Sequence, residues 1–153
     1  MSVSTDAKIF YGITFEEGYE FPWDGYEDIE DWWIYGVNVF KHSFELYDSD
    51  GNHLNGRKPS GEEISRYFDE KKSFSKAHPI PVELVNCCSY NYPMYALAVP
   101  DTVIMASRGY PEVIDLSSFI VDNEKVNAML KFCNDQGIEL NRDLSWILSS
   151  YWG

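Results

Sequence analysis

Residues 82–107 read VELVNCCSYNYPMYALAVPDTVIMAS. The runs 82–88, 94–99 and 102–107 are apolar, β-branched or aromatic, and each has strand length. Asn91-Tyr92-Pro93 and Pro100-Asp101 carry turn chemistry between them. Strands joined this tightly pair antiparallel, because a parallel crossover consumes a dozen residues or more. The stretch therefore predicts an α+β fold: one domain over 1–153, a mostly antiparallel sheet, and about three helices packed on it.

Outward from there, residues 7–15 (AKIFYGITF) predict a first strand, with Gly12 marking a bulge or a close approach. Residues 144–152 predict a last, aromatic-rich strand, and 43–47 and 113–120 two more. Asp50-Gly51 is a hairpin signal. A first helix is expected from Asp24 or Gly25 to about Tyr35, with Asp24 as N-cap, Ile29, Trp32 and Trp33 facing the core, and Gly36 ending it. Ser60 and Glu63 fit a capping box for a second helix with Ile64, Tyr67, Phe68 and Phe74 as its buried side, closed by Pro79 and Pro81. Asp122 or Asn123 caps a third, with Val126, Met129, Leu130 and Cys133 on one face and Gly137 just past its end.

At 44% hydrophobic and 16% aromatic residues the chain is expected to fold. Its longest apolar run, around 94–106, is interrupted by Pro100 and Asp101, too short to span a bilayer. MSVSTDAK lacks the apolar core of a signal peptide. Three cysteines, two adjacent, predict reduced thiols in a cytoplasm-like compartment. The first fifty residues hold twelve acids and two bases, so −10 of the net −13 sits in the first third. That argues against binding to phosphate backbones, which needs clustered Lys and Arg, and favours a basic partner, a cation or simple solubility.

Few motifs carry chemistry. Asp48, Asp50 and Asn52 begin like a calcium loop, but His53 stands where glycine is needed and Pro59 where a bidentate glutamate belongs. His42, His53 and His78 are scattered, and Cys87-Cys88 lacks the spacing of a zinc grip. Cys87 or Cys88 with His78 could form a nucleophile and base, yet small buried hydrophobes are the simpler reading. Ser107-Arg108-Gly109-Tyr110 reads as a turn. No nucleophile elbow, Walker loop or dinucleotide fingerprint is present. No catalytic residue, metal or cofactor is expected.

The functional expectation comes from residues 16–33, EEGYEFPWDGYEDIEDWW, with eight carboxylates, six aromatics and no base. Asp24, Glu27, Asp28 and Asp31 fall at helical spacing on one side, a row expected to add nothing to stability because like charges repel at that spacing. With Glu16, Glu17, Glu20 and Trp23 they form the expected partner-binding surface. Carboxylates along a helix can stand in for phosphates, so the expected partner is a basic host protein, a nucleic-acid-binding enzyme. Two other readings are a glycan or small-molecule module using the loop aromatics Tyr19, Phe21, Trp23 and Tyr26, and a hydrolase built on a carboxylate pair.

The segments FEEGYEFPWDGYEDIEDWW and PVELVNCCSYNYPMYALAVP resemble small accessory proteins of tailed phages and mobile elements. The resemblance implies a role in the host cytoplasm. That class includes anti-CRISPR and anti-restriction inhibitors, some of which imitate DNA with rows of carboxylates. It assigns no functional residue.

Overall fold

The computed structural model describes residues 5–41 and 58–152. The fold is α+β: the described residues form a five-stranded, mostly antiparallel sheet and three helices. Its contacts gather into two compact units, Met1–Asp24 with Pro81–Gly153, and Gly25–Ile80. The expected strand over 43–47, the Asp50-Gly51 hairpin, the calcium-like loop, His42 and His53 lie outside the described residues.

The first unit holds the whole sheet: β1 (Thr5–Thr14), β2 (Glu83–Ser89), β3 (Pro93–Ala98), β4 (Ile104–Ala106) and β5 (Ser145–Trp152). β1 pairs antiparallel with β5 along eight residues. Its other edge serves two strands in turn: Ala7, Lys8 and Ile9 pair with β4, and Gly12, Ile13 and Thr14 with β3. At the changeover the Tyr11 N–H donates to Thr102 Oγ1 (3.2 Å), and the Tyr11 carbonyl accepts from Val99 N–H (2.8 Å). Thr102 also donates to the Val99 carbonyl at 2.6 Å, so this buried hydroxyl is satisfied while it bridges the gap. β3 pairs on with β2, and the end of β2 meets β5 in parallel at Cys88 and Ser89. The pairings thus close a circuit, β1–β5–β2–β3–β1, with β4 outside it.

Inside the circuit sit Phe10, Val85, Cys87, Ala96 and Ala98, all buried, with Met94, Val103 and Ile147 against them. Gly12 is part of this packing. A Cβ there would stand 2.0 Å from the Leu97 carbonyl oxygen and 2.8 Å from Ala98 Cα, so close approach, and not a bulge, explains the glycine. Residues 113–120 are not a strand. Asp115 accepts from Ser117 N–H and turns the chain into one 3-10 turn, Leu116–Ser118. Ser107 to Tyr110 is the expected turn, closed by Tyr110 N–H on the Ser107 carbonyl with Gly109 at φ 80°.

Helix α3 (Asn123–Asp135) starts at Asp122, whose carboxylate accepts from Glu124 N–H, and ends at Gly137, φ 69°. Ile138 N–H reaches back to the Cys133 carbonyl and Gly137 N–H to that of Asn134, the paired bonds that finish a helix on a left-handed glycine. Its buried side is Met129, Phe132 and Cys133. Leu130, expected there, is 40% exposed, while Phe132 takes its place.

The second unit holds α1 (Ile29–Asp31), which runs into a π-helical turn, Trp32–Val37, and α2 (Gly61–Ala77). The helix expected from Asp24 begins four to five residues late, because Asp28 is the N-cap and accepts from Asp31 N–H at 2.7 Å. Gly36 lies inside the π-helical turn, not at a helix end. A Cβ there would meet the Tyr26 hydroxyl at 2.9 Å. The capping box of α2 is present in full: Ser60 Oγ accepts from Glu63 N–H, and Glu63 accepts from Ser60 N–H. Its expected core side is not buried: Ile64 and Phe68 are exposed, and Tyr67 and Phe74 only half-buried. Phe74 instead stacks on His78 and packs beside Phe40. Among the described residues no helix is long and apolar enough to cross a membrane.

Candidate functional site

The acidic stretch divides at Asp24, the boundary of the two units. Glu16, Glu17, Glu20, Trp23 and Asp24 belong to the first, and Glu27, Asp28 and Asp31 to the second. The single helical row of Asp24, Glu27, Asp28 and Asp31 does not form, since Asp24, Glu27 and Asp28 precede α1.

In the first unit the chain leaves β1 and folds over on its own aromatic residues. The Phe15 ring lies 4.6 Å from Tyr19 and 4.9 Å from Phe21, and Phe21 stacks on Trp23 at 4.6 Å with the planes 14° apart. Tyr95 of β3 stands edge-on to Phe21. Asp24 closes the loop backward, its carboxylate accepting from Phe21 N–H at 2.8 Å while Asp24 N–H donates to the Phe21 carbonyl. Phe21 and Trp23 are 7% and 6% exposed. Trp23 is therefore part of the loop's packing, a correction to its expected place among the contact residues. Glu16, Glu17 and Glu20 stand exposed on this buttressed turn, and none has an ion-pair partner among the described residues.

In the second unit the acids are largely committed. Asp31 pairs with Lys71 at 2.8 Å, and Glu30 accepts from Ser75 Oγ at 3.0 Å, tying α1 to α2. Lys71 also lies 5.3 Å from the centre of the Tyr35 ring, whose hydroxyl contacts that of Tyr67. Burial pushes the Tyr35 hydroxyl well above its ordinary value, and the Tyr67 hydrogen bond adds to it. Burial works to lower the Lys71 ammonium, but the Asp31 carboxylate, with Tyr67 and Glu30 behind it, holds it above its ordinary value. A raised folded-state value means that the Lys71 charge stabilises the fold from neutral pH up to the unfolded lysine value and loses that contribution as pH climbs through the folded one. Glu27 and Asp28 remain exposed, although Asp28 spends one carboxylate oxygen on its cap.

The expected indifference of stability to the acidic row therefore fails at Asp24, Asp28 and Asp31, each of which makes a bond that holds the fold. Asp28→Ala is expected to cost about 1 kcal/mol, as the loss of an N-cap does. Urea unfolding of wild type and variant measures it, and an unchanged midpoint contradicts the cap.

The remaining chemistry is sparse. Cys87, Cys88 and Cys133 are free thiols; Cys87 is a core residue, and burial pushes the Cys133 thiol up to about 11, far from a reactive thiolate. The His78 ring lies on Phe74, and its carbonyl accepts from Trp33 Nε1 at 2.8 Å. Among the described residues no three His, Cys, Asp or Glu side chains converge as metal ligands. A cleft of about 560 Å³ in the first unit is floored by Tyr11, Val126, Leu130, Leu140 and Leu144. Its polar residues Asn141, Arg142 and Asp143 are exposed, and Asp143 is its one carboxylate, so it offers no facing pair of acids. No family model matches the chain, and neither a curated protein nor a solved structure matches it.

Proposed function

We propose that this protein acts by binding: the turn carrying Glu16, Glu17 and Glu20 docks on a basic, nucleic-acid-binding surface of a partner enzyme and blocks it. What supports the reading is one observation, three exposed carboxylates with no ion-pair partner among the described residues, on a turn that a buried aromatic cluster holds in place. A rigid mount spares the ordering cost of binding, and clustered like charge selects an opposite surface and speeds encounter. Asp24 contributes from the base of the turn. Asp31 is excluded by its pairing with Lys71. An accessory inhibitor encoded by a phage or mobile element, set against a host nuclease or restriction enzyme, is the role this chemistry fits.

Of the four loop aromatics a glycan platform would use, Phe21 and Trp23 are buried and offer no open ring face, which leaves Tyr26 as the one exposed ring beside a half-buried Tyr19. The test is affinity capture from nuclease-treated lysate on immobilised wild type and on Glu16→Gln/Glu17→Gln/Glu20→Gln. Wild type is expected to retain a nucleic-acid enzyme that duplex DNA displaces, and the triple variant to lose it. Equal retention by both proteins contradicts the proposal.

A further inference from the structure

The cleft beside α3 has two walls and a floor. On α3, Val126 and Leu130 stand one turn apart, Val126 half-buried and Leu130 40% exposed. The second wall is the segment 140–144, which leads from α3 to β5. That segment is pinned at both ends. Ile138 is buried and its N–H donates to the Cys133 carbonyl, and Ser145 pairs with Gly12. Tyr11 of β1 lines the floor, its ring edge-on to Trp146 at 5.5 Å. The volume, about 560 Å³, lies within the range of small-molecule sites, roughly 300–1,000 Å³.

A cleft that is mostly apolar selects its ligand through its few polar groups. Arg142 and Asp143 are neighbours in the chain and both line the cleft. Neither forms an ion pair among the described residues, with the other or with any third group. Arg142 Nε donates to Asn141 Oδ1 at 3.4 Å, a long bond that leaves its two terminal nitrogens uncommitted. A cation and an anion thus stand unpaired at the edge of one apolar surface formed by Val126, Leu130, Leu140 and Leu144.

We infer that this cleft binds a free α-amino acid with a large apolar side chain. The guanidinium fork of Arg142 takes the carboxylate, Asp143 takes the ammonium, and the side chain lies against Leu130, Leu140 and Tyr11. Charge selects this class. A simple anion would meet Asp143 and the net −13 of the chain, and a simple cation would meet Arg142. A zwitterion answers both groups and carries no net charge for the chain to repel. A longer peptide would separate its two charges, whereas an amino acid holds them on one carbon, as adjacent residues require. Pinning of the 140–144 segment spares part of the ordering cost. Both charged residues are exposed, so each contributes little, and affinity is expected near about 1 mM.

Ligand-observed saturation-transfer NMR of the full chain, with L-phenylalanine and L-leucine titrated to about 10 mM, covers that regime. Saturable binding is expected. Phenylpropionate, which lacks the ammonium, and phenethylamine, which lacks the carboxylate, are each expected to bind about fivefold more weakly than phenylalanine, the upper end of what an exposed ion pair supplies. Asp143→Asn is expected to abolish the preference over phenylpropionate, and Arg142→Gln the preference over phenethylamine, with the fold intact by circular dichroism. A loss of packing alone would weaken all three probes equally and leave the preferences in place. Glu16→Gln/Glu17→Gln/Glu20→Gln is expected to bind phenylalanine as wild type does, which separates this cleft from the acidic turn. No saturable binding of either amino acid, equal binding of the three phenyl probes to wild type, or preferences unchanged in both variants overturns the inference.

Discussion

Gly12→Ala is expected to cost at least about 3 kcal/mol, at the upper end of what overpacking does to a core. The reason lies in the sheet. Gly12 is where β1 pairs with β3 opposite Ala98, and an alanine Cβ would stand 2.0 Å from the Leu97 carbonyl oxygen and 2.8 Å from the Ala98 Cα. Both obstacles are backbone, so no side-chain rotation relieves them. Relief requires β3 to move away from β1, which breaks the pairing that closes the strand circuit and opens the cluster of Phe10, Ala96 and Ala98. Urea or thermal unfolding reads the loss. A change below about 1 kcal/mol would mean that β1 and β3 do not approach as closely as described.

Met129→Ala is expected to cost about 2–5 kcal/mol, and its neighbour Leu130→Ala about 1 kcal/mol or less. The helical pattern of α3 puts both residues on its apolar side, yet Met129 is wholly buried and Leu130 is 40% exposed beside the cleft. Removing Met129 leaves a cavity that rigid neighbours cannot fill, whereas removing Leu130 widens an opening that water already reaches. Parallel denaturation curves decide it, and equal losses would place both residues in the core.

These two positions show what the sequence carries and what it does not. The strands were legible in residues 7–15, 82–107 and 144–152 because β-branched and aromatic runs there meet proline and asparagine turns. The caps at Ser60, Asp122 and Gly137 were legible because capping is local chemistry. The start of α1 was not, because two aspartates four residues apart compete for one role. Asp24 turns back to Phe21 N–H, and Asp28 is left to cap. Residues 113–120 have strand composition, but Asp115 captures Ser117 N–H and turns the chain aside. The closing of β1–β5–β2–β3 depends on contacts far apart in sequence, which no local pattern reports. At the candidate site the charge of Glu16, Glu17 and Glu20 was legible. Whether Trp23 faced outward was not, because a tryptophan among acids reads the same whether it packs beneath them or stands beside them.

The most direct measurement is titration calorimetry of the captured partner enzyme at low and at high salt, with wild type and with Glu16→Gln/Glu17→Gln/Glu20→Gln. If the acidic turn makes the contact, the triple variant binds at least tenfold more weakly at low salt, about 1.4 kcal/mol. The gap then narrows as salt screens the charges. Equal affinity of the two proteins at low salt would assign the turn to solubility and contradict the account.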